Sequence, residues 1–350
     1  MITDQEKFMR AIVVRKPADY GIEEVPIKRL RHGEALVRVT YNTLCGSDLR
    51  VLDGTMQHVN YPIIPGHEWC GTIVETNPGN AQLLGKRVVG EIVYPCYACD
   101  VCNRGRSELC PNLREQGFEI DGGLAEYLVA ETSKISVVPS EIEPQFACLV
   151  EPFSIALHAV ERVHVSIDDR VVIFGAGAIG LLILQSAKLR GVSEVAVVDR
   201  LEYRLELSRH LGATSAVFLR EDAHETLLEE IGDFDVGILA CDQVDGFDLA
   251  IRAVKRGGKI VVVGNTADQL TGFKPNVVMQ EGLEIYGITS PPNGFMNRCL
   301  GILRKGVIQL KPLVTHVFPL DNFEEAYSTF RRRQKGVIRA AIRPPSSDLT

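Results

Sequence analysis

Three groups of residues have types and spacings suited to chemistry. Cys96, Cys99, Cys102 and Cys110 place four thiols within fifteen residues in a C-x2-C-x2-C-x7-C pattern. Four thiolates so spaced can close a tetrahedral shell around zinc and leave no open position, which makes such a metal structural. By spacing alone, an iron–sulfur cluster or idle thiols are the alternatives. A second group is scattered: Cys45-Gly-Ser47-Asp48, Gly66-His67-Glu68 and Glu151-Pro152. Cysteine, histidine and carboxylate form a set that holds a catalytic zinc with one position free for water or substrate. Singly, a buried cysteine packs and a lone histidine is a satisfied polar group; a metal is the reading only if the pieces occur together. The third group is Gly175-Ala-Gly177-Ala178-Ile179-Gly180, which follows the apolar run VVIF (171–174) and opens an apolar helix. In that context the glycines allow a tight turn, close approach of a pyrophosphate to backbone, and packing of helix on strand. The phosphates then sit on the free N–H groups of the helix start. Asp199 ends the next strand, nineteen positions after Gly180. A carboxylate there accepts from the adenosine ribose hydroxyls and repels a 2′-phosphate, which favours NAD; the adjacent Arg200 softens that preference and leaves NADP as the alternative. Another nucleotide, or none, is the competing reading of the loop.

These residues need scaffolds to position them. At about 150 residues per domain, 350 residues suggest two domains. Residues 1–150 hold short β-like segments broken by turns, such as Ala11–Arg15, Ala35–Val39, Gly71–Glu75 and Arg87–Val93, with little helical periodicity. The texture changes near Glu151. VVIF (171–174), EVAVVD (194–199), AVFL (216–219), DVGILA (235–240), KIVVVG (259–264) and LEIYGI (283–288) then alternate with helical stretches. That alternation predicts an α/β domain with a doubly wound parallel sheet. After a short helix near Arg298, the segment Val317–Leu320, the helix-like 322–332 and the strand-like GVIRAAI (336–342) read as a tail that folds back onto the first domain.

Composition narrows the class. The 38 basic and 45 acidic residues give a net charge of −7, which argues against a nucleic-acid partner. Hydrophobic residues at 45% and charged residues at 24% suit a globular protein with a large core. No apolar run reaches the ~18 residues needed to span a membrane. The stretch MITDQEKFMR carries acids and no apolar segment, so it does not read as an export signal and a cytoplasmic location is expected. Nine cysteines, an odd number with four of them crowded together, fit a metal site better than a disulfide framework.

Taken together, CGSDL, PGHEWCGTIVE, the four-cysteine stretch, DGGLAEYLV, EPFSIALHA and GAGAIGLLILQSAKLRG resemble the zinc-containing medium-chain dehydrogenases over nearly the whole chain. The resemblance implies a mostly β, GroES-like catalytic domain at 1–152 and 298–350, with a structural zinc lobe at about 94–112. It implies an NAD-binding Rossmann domain at 153–297. It also implies two Zn2+ per chain and hydride transfer from an alcohol to NAD in a dry cleft. Carried over residue by residue, Cys45, His67 and Glu151 match ligands of the catalytic zinc, and Glu68 matches the carboxylate that joins or leaves the metal. Ser47 matches the hydroxyl that takes the substrate proton. Arg50 stands where many alcohol dehydrogenases have a relay histidine, and an arginine cannot act as a base near neutral pH. Arg339 matches a tail arginine that reaches toward the pyrophosphate and Glu68, with Arg200 and Arg204 also near the cofactor. Phe118, Glu119 and the segment Thr289–Gly294 should border the substrate, where Glu119 or Asp48 could hold an ammonium group.

Within the family the chain resembles polyol dehydrogenases, because the third ligand position matches Glu151 of an EP motif. EALVRVTYNTLCGSDL, YPIIPGHEWCGTIV and LLGKRVVGE are similar to dehydrogenases of aminoglycoside biosynthesis. That likeness implies an aminocyclitol such as 2-deoxy-scyllo-inosamine as substrate; an alditol, a sugar or threonine is the alternative. A reading from a different class is a relative that kept the fold and lost the chemistry, which the intact ligand set and glycine loop oppose. The family likeness further implies a homodimer or homotetramer.

Overall fold

The computed structural model describes residues 7–220, 232–243, 245–264 and 274–345. Residues 1–6, part of the stretch MITDQEKFMR, lie outside the described residues. The chain divides into two compact units, one formed by Met1–Glu151, Pro292–Lys305 and Leu313–Thr350, the other by Pro152–Pro291 and Gly306–Pro312. Among the described residues, no helix is long and apolar enough to cross a membrane.

The first unit is built on β1 (Phe8–Lys16), β2 (Asp19–Pro26), β3 (Glu34–Thr43), β4 (Glu68–Thr76), β5 (Arg87–Gly90), β6 (Val93–Tyr94), β7 (Arg114–Glu115), β8 (Tyr127–Glu131) and β9 (Ile135–Val137). The second unit contributes β10 (Arg170–Phe174), β11 (Glu194–Asp199), β12 (Ser215–Phe218), β13 (Phe234–Leu239), β14 (Val254–Val262) and β15 (Glu284–Gly287). The tail adds β16 (Val314–Pro319) and β17 (Arg339–Arg343) to the first unit.

In the first unit a seven-stranded sheet runs β16-β17-β3-β4-β5-β9, with β8 also paired to β3. The tail forms one end of it: β17 pairs antiparallel with β3, Ala341 facing Thr43, and Glu68 faces the same Thr43 from β4. Leu44 N–H donates to the Ala340 carbonyl at 2.9 Å, which extends that pairing to the residue before Cys45. Both ends of the chain share one core, where Ile12, Val14, Leu44 and Leu124 pack with Phe318, Phe323 and Ile342. The sparse helical signal conceals one functional element, the helix Gly46–Asp53 that carries Ser47 and Asp48. Eight residues give barely two turns, too few for a periodic apolar pattern.

In the second unit six strands form one parallel sheet in the order β12-β11-β10-β13-β14-β15, which is the doubly wound arrangement expected. Strands β10 and β11 are buried almost throughout, so they read as apolar runs rather than alternations. The order reverses between β10 and β13, and ligands of open α/β sheets bind beyond the strand ends at such a point. Residues 306–312 return to this unit, where the Gln309 N–H donates to the Gln185 side-chain carbonyl at 2.6 Å and the Gln185 amide returns a bond to the Gln309 carbonyl at 3.2 Å.

Candidate active site and metal centres

Three strand ends in the first unit converge on one point. Cys45 follows β3 and starts the helix Gly46–Asp53, His67 precedes β4, Glu68 begins β4, and Arg339 begins β17. The ligand atoms of Cys45, His67 and Glu68 all lie within 4.8 Å of one another. Ser47 Oγ is 3.3 Å from His67 Nε2, so the hydroxyl faces the ring nitrogen turned toward the cluster. Phe118 is buried and packs its ring 5.2 Å from the imidazole, between His67 and the surrounding apolar core.

Supporting groups fix each ligand. The Cys45 N–H donates to Asp48 Oδ2 at 2.8 Å and the Gly66 N–H donates to Asp48 Oδ1 at 3.1 Å. The same Oδ1 lies 3.4 Å from His67 Nδ1. Asp48 therefore closes the first turn of its helix and sits behind the imidazole, the arrangement by which a carboxylate orients a metal-ligating histidine. Burial disfavours the charged imidazole, but the Asp48 carboxylate outweighs it and holds His67 well above the ordinary histidine range. Asp48 is fully buried, with both oxygens engaged, which corrects the expectation that it could hold a substrate ammonium. Its position was detectable, since Cys45-x-x-Asp48 has the spacing of a capping box. Glu68 accepts from Thr43 Oγ1 on one oxygen and from Arg339 Nη2 at 2.7 Å on the other. Arg339 Nη2 also lies 3.9 Å from Cys45 Sγ.

Glu151, in the first turn of helix Val150–Arg162, is not one of the three converging ligands but adjoins them. Burial pushes its carboxyl up to about 8; Glu68 adds to the rise, while His67 and Arg339 oppose it. Asp48, Glu68 and Glu151 are all buried, and Arg339 is the buried arginine that faces them. Buried carboxylates need compensating charge, so a divalent cation fits this donor set.

The four-cysteine lobe meets the same test more tightly. Its sulfurs all lie within 4.8 Å of one another, with Cys99–Cys102 at 3.5 Å, Cys96–Cys110 at 3.5 Å and Cys99–Cys110 at 3.9 Å. Thiolates about 2.3 Å from a tetrahedral zinc stand about 3.8 Å apart, so the thiols are already spaced for the ion.

In the second unit the glycine loop separates two roles that the motif combines. Gly175 has φ of +106°, and a Cβ on Gly180 would lie 1.8 Å from the Gly175 carbonyl oxygen, so both glycines are required by the fold. A Cβ on Gly177 would meet nothing nearer than Arg204 Nη1 at 3.8 Å. The space above Gly177 is open, as a backbone cradle for phosphate requires. Ala178 and Ile179 open the helix Ala178–Leu189, and Arg200 follows β11. Asp199 Oδ2 accepts from the Ala176 N–H at 2.7 Å and Oδ1 from the Leu201 N–H at 2.9 Å, which fixes the carboxylate beside the loop; Arg204 Nη1 lies 3.8 Å from it.

The expected substrate border is less assembled. Glu119 gives one oxygen to the Glu115 N–H at 2.8 Å, inside its own turn. Asn293 and Gly294 are engaged with the zinc lobe and with Glu91 and Lys134.

Residues 31–140 match the model of the alcohol dehydrogenase GroES-like domain, and residues 178–297 match that of the zinc-binding dehydrogenases. The chain is 31% identical over 325 residues to an L-threonine 3-dehydrogenase of Paraburkholderia phytofirmans, covering 91% of this chain and 94% of that one. It is 28% identical to a sorbitol dehydrogenase of Bacillus subtilis, covering 96% and 97%. Among solved structures it is similar to an enzyme of Escherichia coli CFT073, described as a short chain alcohol dehydrogenase and complexed with NADH. That likeness has a TM-score of 0.89 and 28% identity, covering 96% of this chain and 99% of that one.

Proposed function

The chain belongs to the zinc-type medium-chain alcohol dehydrogenases, and on that premise we propose that it oxidises a secondary alcohol of a small polyhydroxylated molecule with NAD as hydride acceptor. The observation that carries this reading is the convergence of Cys45, His67 and Glu68 within 4.8 Å, with the Ser47 hydroxyl against the same histidine. Cys45 and His67 hold the catalytic zinc, with Glu68 and Glu151 as the carboxylates available to it. Zinc bound there supplies positive charge that makes a substrate hydroxyl more acidic. Asp48 keeps the imidazole turned toward the metal, Thr43 and Arg339 restrain Glu68, and the Phe118 ring keeps water from that side of His67. Ser47 takes the proton of the substrate hydroxyl. Arg50 has no proton-accepting role. The four-cysteine lobe holds a second, structural zinc.

For the cofactor, the backbone at Gly177 with the N–H groups of Ala178 and Ile179 holds the pyrophosphate, on the tight turn that Gly175 and Gly180 permit. Asp199 takes the ribose hydroxyls and so selects NAD. Hydride acceptance is the cofactor's chemistry; alignment is the protein's contribution.

The substrate we propose is an aminocyclitol such as 2-deoxy-scyllo-inosamine, on the sequence stretches 34–49 and 61–74. The likeness to a threonine dehydrogenase and a sorbitol dehydrogenase favours a second reading, threonine or an alditol. Threonine and aminocyclitols share a secondary hydroxyl on an amine-bearing skeleton. NADH formation measured with aminocyclitols, alditols and threonine in parallel tests the assignment. Highest kcat/KM on an aminocyclitol is expected; a preference for threonine or sorbitol refutes that substrate, and no turnover on any alcohol refutes the proposed activity.

A further inference from the structure

Lys134 is a buried lysine in a position that neither metal site nor the reaction explains. It lies between β8 and β9 and is 3% exposed. Its Nζ donates to Asn293 Oδ1 at 2.6 Å and lies 3.5 Å from Glu91 Oε2. The ammonium also stands over the rings of Tyr94 at 5.8 Å and Tyr97 at 5.4 Å. Asn293 in turn donates to Tyr97 Oη at 3.2 Å and to Ser107 Oγ at 3.2 Å, and the Gly294 N–H donates to the Glu91 carboxylate. Tyr97 lies between Cys96 and Cys99, and Ser107 lies between Cys102 and Cys110. Gly294, with φ of +80°, caps the start of helix Phe295–Leu303. One ammonium thus joins three parts of the first unit that are distant in sequence: the four-cysteine lobe, the strand end bearing Glu91, and the turn leading into that helix.

We propose that Lys134 is a positioning residue that couples metal retention in the four-cysteine lobe to order in the Asn293–Gly294 turn. A buried ammonium is tolerated only where carboxylate, amide and aromatic faces replace its water, and here those partners come from both sides of the junction. Holding the lobe closed keeps Tyr97 and Ser107 where Asn293 needs them. Holding Asn293 in place keeps the lobe from opening. Such coupling is reciprocal by thermodynamic necessity. It makes the lobe a support for the start of helix Phe295–Leu303, beyond its service as a local staple. The inference rests on the four cysteines holding zinc.

The test uses the zinc-loaded, full-length enzyme with excess 4-(2-pyridylazo)resorcinol as the chelating probe, together with amide hydrogen exchange. In Lys134→Met the slow phase of zinc release becomes about tenfold faster, equivalent to about 1.4 kcal/mol of barrier, and amide exchange at 292–297 accelerates. Lys134→Arg restores most of the retention. Asn293→Ala, at an exposed position, shifts both readouts in the same direction. The Lys134→Met/Asn293→Ala pair is no faster than Lys134→Met alone. Unchanged slow-phase release in Asn293→Ala overturns the proposal, as does full additivity of the pair. A protein that releases a single metal per chain removes the premise, a failure distinguishable from the other two.

Discussion

Placing the same methyl group at two glycines three residues apart should separate cofactor binding from folding. At Gly177 the backbone has φ of −72° and an added Cβ meets nothing nearer than 3.8 Å. Gly177→Ala should therefore change stability by less than about 0.5 kcal/mol, the usual range for a site without packing consequences. The methyl would project into the space assigned to the pyrophosphate. An extra methyl in a packed contact costs about 1–3 kcal/mol, so NADH should bind roughly five- to 150-fold more weakly. At Gly180 the added carbon would lie 1.8 Å from the Gly175 carbonyl oxygen, a backbone atom that cannot move without shifting the loop. Gly180→Ala should cost about 3 kcal/mol and lower Tm by about 5 °C. NADH fluorescence titration and thermal unfolding of the two variants decide it. If Gly177→Ala binds NADH like the parent, the cradle is misplaced. If Gly177→Ala loses as much Tm as Gly180→Ala, the assignment of separate roles is wrong.

Ser47→Ala should keep both metals and NADH binding yet lower the rate by about 10²–10⁴-fold, with Arg50→Ala milder; a full rate in Ser47→Ala, measured beside zinc content, would replace the proton path. Asp48→Asn removes the charge behind His67 while keeping the side chain's shape, and should weaken metal at the Cys45/His67 site by about 10–100-fold, read by competition with a chelator; unchanged affinity would reduce Asp48 to a helix cap. Asp199→Ser should lower kcat/KM for NAD and raise the NADP/NAD ratio, since Arg204 remains 3.8 Å from that carboxylate's position; a parent enzyme that already prefers NADP refutes the role given to Asp199.

What the sequence revealed follows from how locally each feature is encoded. The four cysteines lie within fifteen residues, and their sulfurs already stand at tetrahedral spacing. Strands β10 and β11 are buried on both faces, so they read as uninterrupted apolar runs ending at the glycine loop and at Asp199. The helix Gly46–Asp53 is too short for periodicity, so the capping-box spacing of Cys45 and Asp48 is the local signal that marks its start. Asp48 on its own reads as an acid available to substrate, whereas its oxygens serve the Cys45 and Gly66 N–H groups and face His67. The Lys134–Asn293 contact joins residues 159 positions apart, and no local pattern announces such a pairing.

The most direct test of the account is metal content measured together with alcohol-dependent NADH formation, before and after mild chelation. The site at Cys45 and His67 keeps a position open and should lose its ion first, whereas the closed four-thiolate lobe should keep its own. The account predicts two zinc ions per chain, falling to one as activity disappears, with activity restored by added zinc. A chain that carries iron, or that stays fully active after the first ion has left, would contradict it.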